Sequence, residues 1–145
     1  MNSLGLLYAR EDTGADPDYA RARYWYQKAA DAGNADAMTN LGFLYDVGHG
    51  VAEDRTRALS WYQKAANAGS ARGMTWLSGL YAEGRGVAQD DALACAWLQK
   101  AVDAGNAEAM MYLANLYDWG KGVAKDSARA EELRRRSLIA ADDAD

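Results

Sequence analysis

The chain has 145 residues, half of them hydrophobic, one proline and a formal net charge of −5; that is enough apolar material for one domain's core and too much for wholesale disorder. Mild acidity argues against a general binder of nucleic acid or anionic membrane, which needs a basic face. A single cysteine, Cys95, and a single histidine, His49, exclude an intramolecular disulfide and cannot build a zinc site between them, so neither metal nor cofactor is expected.

Repetition organises the sequence. The stretch 35–69 returns 36 residues later as 71–105, a third and decaying copy occupies 107–141, and a partial copy fills 1–33. A fixed period between about 20 and 50 residues is the mark of a solenoid. The expected architecture is a single domain over 1–145, with units at about 1–33, 34–69, 70–105 and 106–141 and a frayed acidic tail at 142–145.

The first unit is the irregular one. Met1 aligns with Met38, so its first helix lacks the opening residues and cap, and its turn, AREDTGADPD, is one residue longer than the others. Asp16-Pro17 reads as a turn and Asp18 as the cap of the next helix. The unit is expected to be either a modified cap or the start of a chain cut within a longer array. MNSLGLLYAR is not a signal peptide, and no run of about 18 apolar residues is present to span a bilayer. The chain is therefore expected in the cytoplasm, or in the periplasm or outside if a signal peptide has been removed.

In the second unit, Ala37, Leu41, Leu44 and Tyr45 recur at spacings of three and four and share one face of a helix, helix A. Asn34, Ser70 and Asn106 precede successive copies of that helix as N-caps, and Gly48, Gly84 and Gly120 end them. The turn then reads Gly48-His49-Gly50-Val51, Gly84-Arg85-Gly86-Val87 and Gly120-Lys121-Gly122-Val123, with the valine expected to plug the gap between helices. Asp54, Asp90 and Asp126 cap a second helix, helix B, along which Ala58, Trp61, Tyr62 and Ala65 form an apolar stripe. Gly33, Gly69 and Gly105 close it. A helix pair of this length cannot bury both faces alone, and stacking solves that. In the fourth unit the aromatic pair is replaced by Leu133-Arg134, followed by Arg135 and Arg136, the polar surface a terminal repeat needs.

These motifs, Leu41-Gly42-x-x-Tyr45, Gly48-x-Gly50-Val51, Asp54, Ala58-x-x-Trp61-Tyr62-x-Lys64-Ala65-Ala66 and Gly69, resemble the Sel1-like repeat, a relative of the tetratricopeptide repeat. The resemblance covers nearly the whole chain, with Ser78 and Ala114 departing from the glycine of the Leu-Gly pair. It implies an all-α fold, a right-handed α-α superhelix of about four helix-turn-helix repeats. It also implies a scaffold or adaptor, or an immunity protein that occludes a secreted toxin. Some secreted members are stapled by paired cysteines, which this chain lacks.

No catalytic constellation is marked out. His49 has Arg85 and Lys121 as repeat equivalents and reads as a tolerant, exposed turn position. The Gly-x-Gly turns follow helices and lack the Lys-Ser/Thr ending of a phosphate loop, and Cys95 reads as a small packing residue. Periodic aromatics, Trp25, Trp61 and Trp97 with Tyr8, Tyr45, Tyr81 and Tyr117, read as core.

Function is expected where the units differ, on the helix A face lining a concave groove. That face holds Asp36, Thr39, Asn40, Phe43, Asp46 and Val47, then Arg72, Thr75, Trp76, Gly79, Ala82 and Glu83, then Glu108, Met111, Tyr112, Asn115, Asp118 and Trp119. Neither Trp76 nor Trp119 recurs as an aromatic in all units, Trp76 answering to Asn40 and Trp119 to Val47 and Glu83, which suits interface anchors. Asp36, Asp46, Glu83, Glu108 and Asp118 predict a mildly acidic groove with Arg72 as the main counter-charge. The expected partner is a protein or peptide carrying basic and apolar anchor residues. An enzyme using groove carboxylates remains a third, disfavoured reading, which a closed pocket holding two carboxylates would revive.

Overall fold

The computed structural model of the chain describes residues 1–10 and 17–143. Most of the first unit's long turn, with Asp16, and the last two residues of the acidic tail lie outside the described residues. Eight helices and no strand occur among the described residues: α1 Asn2–Ala9, α2 Tyr19–Asp31, α3 Ala35–Val47, α4 Arg55–Asn67, α5 Ala71–Glu83, α6 Asp91–Asp103, α7 Ala107–Trp119 and α8 Ser127–Asp142. Odd-numbered helices are the A helices and even-numbered ones the B helices. The fold is all-α, built from four helix pairs in two compact units, Met1–Gly73 and Met74–Asp145.

Local chemistry sets the helix ends. Asn34 accepts a hydrogen bond from the amide of Ala37, Ser70 from that of Gly73 and Asn106 from that of Ala109, each satisfying an orphan donor of the first turn. Asp18, Asp54, Asp90 and Asp126 do the same for the B helices, through Arg21, Arg57, Leu93 and Arg129. Gly48 and Gly120 end their helices in the left-handed conformation, with φ of 73° and 63°, a region that favours glycine. Helix α1 starts without a side-chain cap.

One backbone bond closes every A-to-B turn. The amides of Asp18, Asp54, Asp90 and Asp126 donate to the carbonyls of Tyr8, Tyr45, Tyr81 and Tyr117, at 2.8 to 3.0 Å. The arginine three residues into the B helix then lies over that tyrosine's ring: Arg21 over Tyr8, Arg57 over Tyr45 and Arg129 over Tyr117, each at 5.5 to 5.6 Å. Val51, Val87 and Val123 are half-buried, and Val123 packs on the second unit's core.

Within the first unit, Leu41 and Leu44 of α3 join Ala22, Tyr26, Ala29 and Ala30 of α2 in one buried cluster. The second unit repeats this with Leu113 and Leu116 of α7 against Leu98, Ala101 and Val102 of α6. Each such helix A is thus sealed by the preceding helix B. Tyr62 is fully buried and its ring lies flat against Gly42, where an added Cβ would come within 2.6 Å of two ring carbons. Tyr26 covers Gly5 in the same way.

The periodic tryptophans are not core in the sense expected. Trp25, Trp61 and Trp97 are half-buried, and the ammonium groups of Lys64 and Lys100 sit 4.5 and 4.4 Å over the rings of Trp61 and Trp97. They form a covered rim, while the residue after them, Tyr26, Tyr62 or Leu98, takes the interior. His49 also differs from expectation. Its ring is wedged between Tyr19, at 4.5 Å, and Phe43, at 6.1 Å, so the position is half-buried and packed. Cys95 is buried, as a packing residue should be, and its thiol points to the carbonyl of Lys121.

Candidate protein-binding groove

The 3.6-residue period places Thr75, Trp76, Gly79, Ala82 and Glu83 along one side of α5, and Glu108, Tyr112, Asn115 and Trp119 along one side of α7. These two lines of side chains flank an open groove of about 380 Å³ in the second unit. Small residues, Ser78, Gly79 and Ala82, form part of its lining, beside Trp76, Tyr112 and Trp119. Trp119 is 70% exposed and Tyr112 49%, so large apolar surface stands in water where a partner could bury it.

Charge in the groove is mixed. Arg85 and Lys121, the middle residues of two Gly-x-Gly turns, also line it. Arg85 Nε pairs with Glu83 at 2.8 Å, and Lys121 Nζ with Asp91 at 3.6 Å. The Tyr112 hydroxyl donates to Glu108 at 3.1 Å. That bond, then partial desolvation and the charges of Glu108 and Glu83, push the phenol above its ordinary range.

Nine of the eighteen residues expected on that face line this groove: Thr75, Trp76, Gly79, Ala82, Glu83, Glu108, Tyr112, Asn115 and Trp119. Met111 is exposed on α7 outside it. Asp118 is not an open carboxylate, because Arg134 of α8 bonds both it and Asn115. In the first unit, Asn40 and Phe43 line a smaller pocket of about 260 Å³ with His49. Asp36 and Arg72 are exposed there, and Arg72 donates to the side chain of Asn40 and, at 3.5 Å, to the carbonyl of Asp36.

Three of the expected residues are buried: Thr39, Asp46 and Thr75. The two threonines are ties between successive A helices. Thr39 shares a hydrogen bond of 3.0 Å with Ser70, and Thr75 reaches Asn106 at 3.5 Å; in each case the partner is the residue capping the next helix A. Their recurrence at the repeat period was the signal for that role. Variation among His49, Arg85 and Lys121 reads as tolerance in the sequence, whereas Arg85 and Lys121 line the groove in the structure. Among the described residues no group of three His, Cys, Asp or Glu side chains is placed to hold a metal, and no helix is long and apolar enough to cross a membrane.

The model of the Sel1 repeat family matches residues 1–34, 35–70, 71–106 and 107–136. No curated protein matches the sequence. Among solved structures, a Sel1 repeat protein from Oxalobacter formigenes is 31% identical over 95% of this chain and 55% of its own, with a TM-score of 0.86. An immunity protein from Pseudomonas aeruginosa is 26% identical over 94% of this chain and 50% of its own, with a TM-score of 0.70. A protective antigen of uropathogenic Escherichia coli is 28% identical over 95% of this chain and 37% of its own, with a TM-score of 0.53. The chain spans about half the length of these neighbours, or less.

Proposed function

The chain belongs to the Sel1 repeat family, whose members are protein-interaction scaffolds, and we propose that it binds another protein through the groove of its second unit. The observation that carries this reading is the grouping of Trp76, Tyr112 and Trp119 around one open groove. Trp119 stands largely in solvent and Tyr112 about half so. Exposed, rigid aromatics bordered by charge have the composition of interface hot spots, where a few residues supply most of the affinity. The mechanism is display: helices capped and tied at fixed spacing hold the aromatic side chains in place before the partner arrives, which reduces the ordering cost of binding. The partner surface suited to this groove carries apolar anchors and at least one basic group.

The test is affinity capture from a bacterial lysate, followed by calorimetry with the purified captured protein. Replacing both Tyr112 and Trp119 by alanine is expected to weaken binding by roughly 30-fold or more, the range of a loss of about 2 kcal/mol at a hot spot. A control replacement at Glu131, exposed on α8, is expected to leave the affinity unchanged. Equal affinity for all three proteins would overturn the assignment. A second reading, that the bound protein is a toxin neutralised by this chain, is supported by the similarity to the Pseudomonas immunity protein. It requires the captured protein to be an enzyme whose activity falls in proportion to complex formed, and a captured protein with undiminished activity would oppose it.

A further inference from the structure

The chain's own repeats indicate what the groove is shaped to hold. In the last three repeats, one helix A position lies six residues before the middle residue of the following turn, Phe43 with His49, Gly79 with Arg85, and Asn115 with Lys121, and both members of each pair line a pocket. In the first compact unit that position carries an aromatic wall, the Phe43 ring standing edge-on to His49 beside the smaller pocket. At the equivalent position of the second unit there is no side chain. A Cβ added to Gly79 would meet nothing within 4 Å. Ala82, where the first unit has Asp46, widens the same gap, and the groove there reaches about 380 Å³ against about 260 Å³ beside Phe43.

We infer that the groove is a socket for a single aromatic side chain of the partner, a phenylalanine-sized ring taking over Gly79 the place that Phe43 takes in the first unit. This rests on the groove being the binding site. The volume is near the lower end of ligand sites, which run from about 300 to 1,000 Å³, and suits one or two side chains better than a folded edge. Arg85 stands where His49 stands beside Phe43, so the incoming ring meets a guanidinium, a favourable neighbour for an aromatic face. Charge selects what flanks the ring. Arg85 is answered by Glu83 and Lys121 by Asp91, but Glu108 receives the Tyr112 hydroxyl and no ion pair among the described residues. A lysine or arginine next to the aromatic residue would meet that surplus carboxylate, so the partner element is an aromatic-basic pair in an extended segment.

The experiment is a titration of the isotope-labelled full chain, followed by amide chemical shifts, with three synthetic peptides: acetyl-Ala-Lys-Phe-Ala-amide, its Lys→Glu form and its Phe→Ala form. Saturable shifts are expected at Gly79, Arg85 and Trp119 with the first peptide. Affinity should fall several-fold with the second, and about tenfold or more with the third, the scale of losing one anchor. The Gly79→Phe variant fills the socket from inside and is expected to lose the shifts while keeping its helical circular dichroism, whereas Gly79→Ala keeps both. Equal shifts from the Phe→Ala peptide, or undiminished binding by folded Gly79→Phe, would overturn the socket. A captured partner that depends on Tyr112 and Trp119 but ignores Gly79→Phe refutes the socket alone; one that ignores all of them refutes the groove as well.

Discussion

Replacing Gly42 by alanine sets two effects against each other. Alanine in a helix interior is favoured over glycine by about 1 kcal/mol, and Gly42 lies in the middle of α3. The added methyl, however, would sit 2.6 Å from Cδ1 and Cε1 of Tyr62, about 1 Å inside the ordinary carbon-carbon separation of about 3.5 to 4.0 Å. Tyr62 is fully buried, so the ring cannot swing into solvent, and overpacking of this kind costs about 1 to 3 kcal/mol. With the contact set by a ring face rather than a flexible tip, the upper part of that range applies, and the net loss is about 1 to 2 kcal/mol. Urea unfolding followed by circular dichroism measures it. The chain itself supplies the rescue, because the positions equivalent to Gly42 and Tyr62 are Ser78 and Leu98, then Ala114 and Arg134: where the flat ring is gone, a Cβ is present. Combining Gly42→Ala with Tyr62→Leu should therefore cost about 1 kcal/mol less than the sum of the single changes. Strict additivity, or a Gly42→Ala protein more stable than the parent, would refute the reasoning.

Thr39→Val removes the hydroxyl shared with Ser70 in the buried tie and is expected to cost about 1 to 2 kcal/mol by urea unfolding; an unchanged midpoint would remove the tie from the account. Trp119→Ala, at an exposed side chain, should change stability by less than about 0.5 kcal/mol, whereas Tyr62→Ala should cost about 3 to 5 kcal/mol, and a reversed order would contradict the division between groove and core. Burial, with the charge of Asp91 adding to it, raises the Cys95 thiol, and burial, partly offset by Arg72, raises the Tyr26 phenol. Both groups stay protonated longer in the folded chain, so their contribution is complete at neutral pH and falls as pH rises above about 8.5, where an unfolded cysteine begins to lose its proton. Unfolding curves from pH 7.5 to 10 should show this decline, and Cys95→Ala should flatten its first part; an identical slope in the variant would exclude the thiol.

The fold was legible because repetition shows each local signal several times. Asn34, Ser70 and Asn106, or Asp54, Asp90 and Asp126, would be ambiguous singly, and at a 36-residue period they are caps. The same regularity misled the reading of the aromatics. Trp61 and Tyr62 recur together, but only their angular positions on α4 decide which faces the interior, and a stripe that includes both cannot rank them. At the groove, Trp119 could be found because it breaks the period, with Val47 and Glu83 as its equivalents. Thr39 and Thr75 obey the period and belong to the scaffold. Asp118 looks open in the sequence because its partner, Arg134, lies on another helix, a pairing that charge along one helix face does not reveal. Ser78 and Ala114 looked like departures from a motif, and the structure relates them to the loss of a tyrosine across the helix pair.

The claim most exposed to test is that binding occurs at the aperiodic tryptophans and not at the periodic ones. Indole N–H signals of the labelled chain, recorded with and without the captured partner and assigned by single substitutions, separate the five tryptophans directly. The account predicts that Trp76 and Trp119 shift or broaden while Trp25, Trp61 and Trp97 stay in place. Movement of the three periodic indoles with Trp76 and Trp119 unmoved would put the interface on the B helices and contradict it.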